Sequence, residues 1–261
     1  MVLFTTNSKS QSEYPLTKTV DSSDIYWGKI YKDPYRWLEN VKVPEVIDWY
    51  KAQAEYTNSI LSKIDNRDKL IDRYKELDAV LPPKVEDRCY EGGRYFYKKA
   101  NPGEKVAKLY YREGLNGQEV TLFDPANHIA GKTLSIQGIK PSYDGKKILV
   151  WYSENGAEVS TIKVLDVDKK EFLPDTIFPS WQGGISWAFD NNGFTYFSQK
   201  TDDFTSKEFG LNTKTKFHKL GDKVQNDIDF FSNESYPGLV DPEDGPIAGF
   251  NKDSKKYFFA D

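Results

Sequence analysis

Ser142-Tyr-Asp-Gly-Lys-Lys-Ile-Leu149 joins an acidic tight turn to the start of an apolar strand, and the pattern recurs along the chain. Tyr90-Glu-Gly-Gly-Arg-Tyr-Phe-Tyr97 precedes it, and Ala188-Phe-Asp-Asn-Asn-Gly-Phe-Thr195 and Asn251-Lys-Asp-Ser-Lys-Lys-Tyr-Phe258 follow. The turn acids Glu91, Asp144, Asp190 and Asp253 recur at intervals of 46 to 63 residues. A unit of roughly 40–50 residues that returns with insertions is the signature of β-propeller blades, each a small antiparallel sheet. Aromatic and β-branched runs supply the strands, among them Lys108-Leu-Tyr-Tyr111, Val120-Thr-Leu-Phe123, Ile148-Leu-Val-Trp-Tyr152 and Phe194-Thr-Tyr-Phe197. An irregular sandwich with similar hairpins is the competing reading. The count gives three blades, at about 84–130, 131–180 and 181–236, and the start of another at 237–261. Three blades and a fraction leave a radial face open and strand edges unpaired. The chain is therefore expected to be a fragment, or to fold against further chain, and to expose apolar surface when isolated.

Upstream of Pro83 the spacing is helical. Asp33-Pro-Tyr-Arg-Trp-Leu-Glu-Asn40 reads as a helix start, with Asp33 as cap and Pro34 in the first turn. A second helix starts at Pro44, with Val46, Trp49, Ile60 and Ile64 on its apolar stripe and Gln53 and Thr57 interrupting it. Asn66 is the expected cap of a third, carrying Leu70, Ile71, Tyr74 and Leu77, which Leu81-Pro82-Pro83 stops. Thr5 to Ser12 reads as a polar tail, so the expected organisation is a tail at 1–13, a helical segment at 14–83 and blades at 84–261.

The 261 residues are 38% hydrophobic and 15% aromatic, enough for a sizeable core, with a formal charge of −4. That balance lacks the basic surface a nucleic-acid partner requires. No run approaches the ~18 apolar residues of a membrane span. One cysteine, Cys89, excludes an intramolecular disulfide and a multi-cysteine metal site; it is expected half-buried where a strand begins. No metal site and no cofactor are expected, since the chain has two histidines far apart and no phosphate-cradling glycine loop. His128 is expected in a loop between blades and His218 in a strand, neither as a catalytic base. Asp202-Asp203 and the pair Asp227 and Asp229 could be glycosidase carboxylates, but read better as loop and strand-face acids. A nucleophile elbow, G-x-S-x-G, does not occur.

The octet at 33–40, with Tyr14-Pro15 before it and Trp49-Tyr-Lys-Ala-Gln-Ala54 after it, resembles the amino-terminal segment of the prolyl oligopeptidase family of serine peptidases. Gly93-Arg-Tyr-Phe-Tyr97, Pro141-Ser-Tyr-Asp-Gly-Lys146, Thr161-Ile-Lys-Val-Leu-Asp166, Leu173-Pro-Asp175 and Ile185-Ser-Trp187 follow in the same order. The resemblance runs from about Tyr14 to Asp261. It implies a seven-bladed propeller capping an α/β-hydrolase domain, onto which the amino-terminal helices pack. It also implies that the catalytic Ser, Asp and His lie in a carboxy-terminal region, so no catalytic residue is assigned to this chain. The implied activity is cleavage of short peptides after proline, with the propeller filtering substrates by size. Its implied partners are short proline-containing peptides and the carboxy-terminal region of the same protein, and the intact molecule is expected to be a monomer. By that resemblance Trp181, just before the Ile185-Ser-Trp187 strand and followed by Gln182-Gly183-Gly184, is the expected substrate-facing residue. The expected location is cytoplasmic, or periplasmic if Met1-Val-Leu-Phe4 is the remnant of a signal peptide. A stand-alone, non-catalytic propeller that binds a partner is the alternative.

Overall fold

A computed structural model describes residues 14–181 and 185–260. The chain forms two compact units, Met1–Leu77 and Asp78–Asp261. No described helix is long and apolar enough to cross a membrane.

In the first unit, strands β1 (Ser23–Tyr26) and β2 (Lys29–Lys32) form an antiparallel hairpin. Trp27 and Gly28 make its two-residue turn, both with positive φ (51° and 74°), as a turn matched to strand twist requires. The octet at 33–40 does not form the expected capped α-helix. The Asp33 carboxylate accepts the Tyr35 N–H at 3.0 Å, and a single 3-10 turn follows at Arg36–Glu39 with no side-chain cap. The reason lies just downstream: Val43 must be extended (φ −77°, ψ 130°) ahead of Pro44, which leaves no room for a longer helix.

Helix α1 (Pro44–Leu61) starts at that proline, and a leading strap at 14–18 lies along it. The Trp49 indole N–H donates to Thr17 Oγ1 at 3.0 Å, and the Gln53 amide donates to the Pro15 carbonyl at 3.2 Å. Tyr14 meets Tyr56 edge-on at 5.0 Å. Gln53, a flaw in an apolar stripe, is thus a donor to backbone that would otherwise lack a partner. Trp37 donates to the Lys18 carbonyl at 3.0 Å and packs edge-on against Trp49 at 6.3 Å. Helix α2 (Arg67–Ala79) buries no residue, and Leu70, Tyr74 and Leu77 face solvent. Asn66 is not a side-chain cap: it is left-handed (φ 62°), and its carbonyl accepts the Leu70 N–H at 3.0 Å.

The second unit is a series of antiparallel meanders. β3 (Lys84–Glu91), β4 (Arg94–Ala100), β5 (Lys108–Glu113) and β6 (Val120–Phe123) form the first blade. β7 (Leu134–Pro141), β8 (Lys147–Glu154), β9 (Ser160–Asp166) and β10 (Glu171–Ser180) form the second. β11 (Ser186–Trp187), β12 (Gly193–Ser198), β13 (Lys214–Lys219) and β14 (Ile228–Ser232) form the third, which is continuous with the second through one pair, Ser180 with Ser198. β15 (Ile247–Asn251) and β16 (Lys256–Ala260) make a further hairpin. The four recurring turns each join the first and second strands of a blade. They also touch one another: Arg94 donates to the Gly145 carbonyl at 3.0 Å, the Tyr143 N–H donates to Asn191 Oδ1 at 2.8 Å, and Lys252 pairs with Glu91 at 2.7 Å. The architecture is a partial β-propeller whose sheets do not close into a ring.

One core, around Phe96, Leu109, Leu134, Ile148 and Leu165, fills the space between the first and second blades. Another, around Leu149, Ile162, Ile177, Trp187 and Phe194, fills the space between the second and third. Alternate residues of β8 thus feed both cores, as a strand covered on two faces must. The Tyr257, Phe258 and Phe259 side chains of β16 remain exposed.

Candidate substrate-facing site

Strand direction decides at which end of the blades Trp181 lies. Ser153 pairs with Ser160, and Ser160 with Ser180, so β8 ends, β9 begins and β10 ends at one level. Leu134, which opens β7, pairs with Glu154 at that same end, opposite the acidic turn at 142–146. Trp181 follows β10 directly and therefore sits on the end remote from the recurring turns. Its half-buried ring packs against Phe209 at 5.4 Å.

Phe209 is also a wall of a cleft of about 840 Å³ that opens at this end. Tyr152, Phe178 and Phe204 line it with Phe209, and Glu158 and Asp202 add carboxylates. Lys132, the cation of the lining, is ion-paired with Glu154. No sequence motif marks this cleft, because its walls come from four separated segments. Its one signal in the sequence is an aromatic loop, Asp202-Asp-Phe-Thr205, whose phenylalanine has no place in a strand pattern. The neighbouring Gln182-Gly183-Gly184 lies outside the described residues.

The histidines take different roles. His128 follows a single 3-10 turn at Pro125–Asn127 and packs its ring on Phe123 (5.0 Å), Phe172 (5.3 Å) and Tyr152 (6.0 Å). Partial burial there, with Lys163 nearby, lowers its pKa. His218 is on strand β13 but fully buried, between two carboxylates. Its Nδ1 is 2.7 Å from Asp227 Oδ1 and its Nε2 is 3.0 Å from Asp175 Oδ1. The backbone N–H of Gly221 donates to Asp175 at 2.6 Å, and the Tyr196 hydroxyl donates to Asp227 at 2.8 Å. The His218, Asp175 and Asp227 side chains are all enclosed, and among the described residues no nucleophile is hydrogen-bonded to the imidazole, so the group reads as structural.

The acids expected on loops and strand faces separate. Asp227 is buried in the His218 group rather than displayed on a strand face, because a buried imidazole needs its carboxylate. Asp229 instead accepts from Lys214 at 3.0 Å and from Ser232 Oγ at 2.8 Å. The two carboxylates serve different partners and do not flank a common space. Asp203 accepts from Thr205 within its own turn, while Asp202 lines the cleft. Cys89 is half-buried, near the end of β3 rather than at its beginning, and burial raises its thiol pKa. Among the described residues, no group of three or more His, Cys, Asp or Glu is placed to hold a metal ion.

Comparison with known proteins gives a consistent result. Residues 14–239 match the model of the prolyl oligopeptidase amino-terminal β-propeller domain. The chain is 31% identical over 229 residues to the prolyl endopeptidase of Elizabethkingia meningoseptica, covering 86% of this chain and 32% of that protein. It is 24% identical over 282 residues to the prolyl endopeptidase of Dictyostelium discoideum, covering 87% and 35%. Among solved structures, a prolyl endopeptidase studied for its inter-domain dynamics superposes with a TM-score of 0.78 at 31% identity, over 95% of this chain and 36% of that one. Prolyl oligopeptidase B of Galerina marginata, bound to a 35mer substrate, has a similar fold (TM-score 0.74, 22% identity, 95% and 36%). The chain thus spans about a third of the length of the relatives it matches. By its blades and by these matches, the chain belongs to the prolyl oligopeptidase family, of which it carries the amino-terminal β-propeller region.

Proposed function

We propose that this chain is the amino-terminal portion of a serine-type oligopeptidase that cleaves short peptides after proline. The observation that carries the reading is the family match over 14–239 in a chain that spans a third of its relatives. In the intact enzyme a serine would attack the carbonyl carbon of the proline residue, a histidine would take the serine proton and pass it to the departing amine, and backbone N–H groups would hold the oxyanion. All three would come from polypeptide beyond this chain. The chain would supply the helical docking segment and some blades of a lid that admits short peptides and excludes folded proteins. The exposed Trp27, Leu70, Tyr74 and Leu77 support the docking role, since large apolar side chains grouped on a small unit call for a covering surface.

Trp181 would face the proline side of the substrate. A flat indole is suited to a pyrrolidine ring, and its contact with Phe209 holds it at the cleft. The sequence encoded downstream of Asp261 tests the proposal. A G-x-S-x-G elbow followed by an aspartate and a histidine is expected; an in-frame stop would contradict it.

A further inference from the structure

We propose that the cleft between the second and third blades binds an aromatic, positively charged stretch of the peptide substrate, separate from the contact with proline. The inference rests on the reading that the end carrying Trp181 faces peptide.

Three observations converge on this ligand. The first is apolar. Phe178 and Phe204 are 53% and 61% exposed, yet both stand in the wall of an 840 Å³ concavity beside Tyr152 and Phe209. Aromatic walls in a concave site bury aromatic or aliphatic side chains.

The second is electrostatic. Glu158 and Asp202 are exposed cleft residues with no hydrogen bond or ion pair among the described residues. Lys132 is engaged by Glu154, so the charges left for a ligand are negative. An arginine or lysine side chain complements them, and an acidic peptide is repelled.

The third is a pair of unsatisfied polar groups beside the cleft. Gln199 is 5% exposed, and neither its Nε2 nor its Oε1 has a partner. It directly follows Ser198, which pairs with Ser180, and precedes Asp202 by three positions. The fully buried Ser160 hydroxyl also lacks a partner and lies between Val159 and Thr161, both cleft residues. A buried amide with donor and acceptor both free is an energetic cost; neither residue lines the cleft itself, so an extended peptide backbone would relieve that cost where the Gln199 side chain turns outward to the alternating C=O and N–H groups the peptide offers. Phe209 touches both the cleft and Trp181, so one extended peptide would reach both.

The test is fluorescence anisotropy of a labelled, proline-free octapeptide of alternating Arg and Phe, titrated with the 261-residue chain at low salt. The control peptide carries Glu in place of Arg. The Arg peptide is expected to bind about tenfold or more tighter, with the preference fading at high salt. Glu158→Gln with Asp202→Asn should remove most of that preference, and Phe204→Ala should weaken both peptides. These side chains are exposed, so circular dichroism should be unchanged. Gln199→Leu should weaken binding without lowering thermal stability. Equal affinity for the two peptides, or a preference that survives Glu158→Gln with Asp202→Asn, would overturn the inference. Cleavage after proline by the intact enzyme is read separately: cleavage without charge preference overturns only the cleft, and charge-selective binding without cleavage overturns only the peptidase reading.

Discussion

His218 Nδ1 lies 2.7 Å from Asp227 Oδ1 within one blade, while the same ring reaches back 3.0 Å to Asp175 on β10 of the neighbouring blade. One imidazole thus fastens the outer strand of the second blade to the third. Burial and the Asp227 carboxylate push the Tyr196 pKa upward, so its hydroxyl stays a donor across the working pH range. His218→Ala would leave two carboxylates enclosed without their partner. Leaving a buried acceptor without its hydrogen-bond partner costs about 1–3 kcal/mol, and a loss of at least that size is expected in chemical denaturation. Tyr196→Phe removes one donor and is expected to cost about 1–3 kcal/mol. A His218→Ala loss below about 1 kcal/mol would contradict the staple.

The recurring turns make a sharper steric case. A Cβ on Gly92 would sit 2.1 Å from the Asp144 carbonyl oxygen, at a φ of +58°. Gly28 has a similarly positive φ of +74°, but nothing lies within 4 Å of its would-be Cβ. Gly28→Ala is therefore expected to cost only the backbone strain, about 1–2 kcal/mol. Gly92→Ala must also push adjacent blades away from each other and is expected to cost more than about 3 kcal/mol. Equal thermal shifts for the two variants would refute the close approach.

Glu119 sets an acid limit. Burial opposes its charge, but hydrogen bonds from Lys99, Tyr97 and Arg112 outweigh that and hold its pKa below the ordinary 4.5. A carboxylate with a depressed folded-state pKa stabilises the protein fully above its unfolded value and loses that contribution as pH falls through the folded value. Stability is therefore expected to decline below about pH 4.5. Glu119→Gln should lower stability at pH 7 and flatten that decline; an unchanged acid limb would contradict the assignment.

The Cys89 thiol should be slow. Burial is the main force raising its pKa, and nearby Asp87 and Glu91 act in the same direction against Lys140. A disulfide-exchange reagent at pH 7 is expected to label it far more slowly in the folded protein than in denaturant. Labelling at equal rates would contradict the burial.

The blades are legible because their turns are local: Asp144-Gly145 and Asn192-Gly193 announce a strand start within a few residues. The hairpin at Trp27-Gly28 is not, since tryptophan carries no turn signal and its left-handed φ of 51° is set by the strands it joins. The octet at 33–40 misleads for a local reason, the extended Val43 that Pro44 imposes. Strand β10 is obscured by Pro174 and Pro179, which an outer strand tolerates where its edge is irregular. The cleft and the His218 staple unite residues from distant strands, and composition has no trace of such contacts. Asp175 and His218 are 43 positions apart and meet only because neighbouring blades pack.

Mass-spectrometric mapping of peptide cleavage tests the proposed function most directly. The product of the complete reading frame is expected to cut short peptides on the carboxyl side of proline and to spare folded proteins, while the 261-residue chain alone leaves the same peptides intact. Cleavage at other residues, or no cleavage by the complete product, would contradict the account.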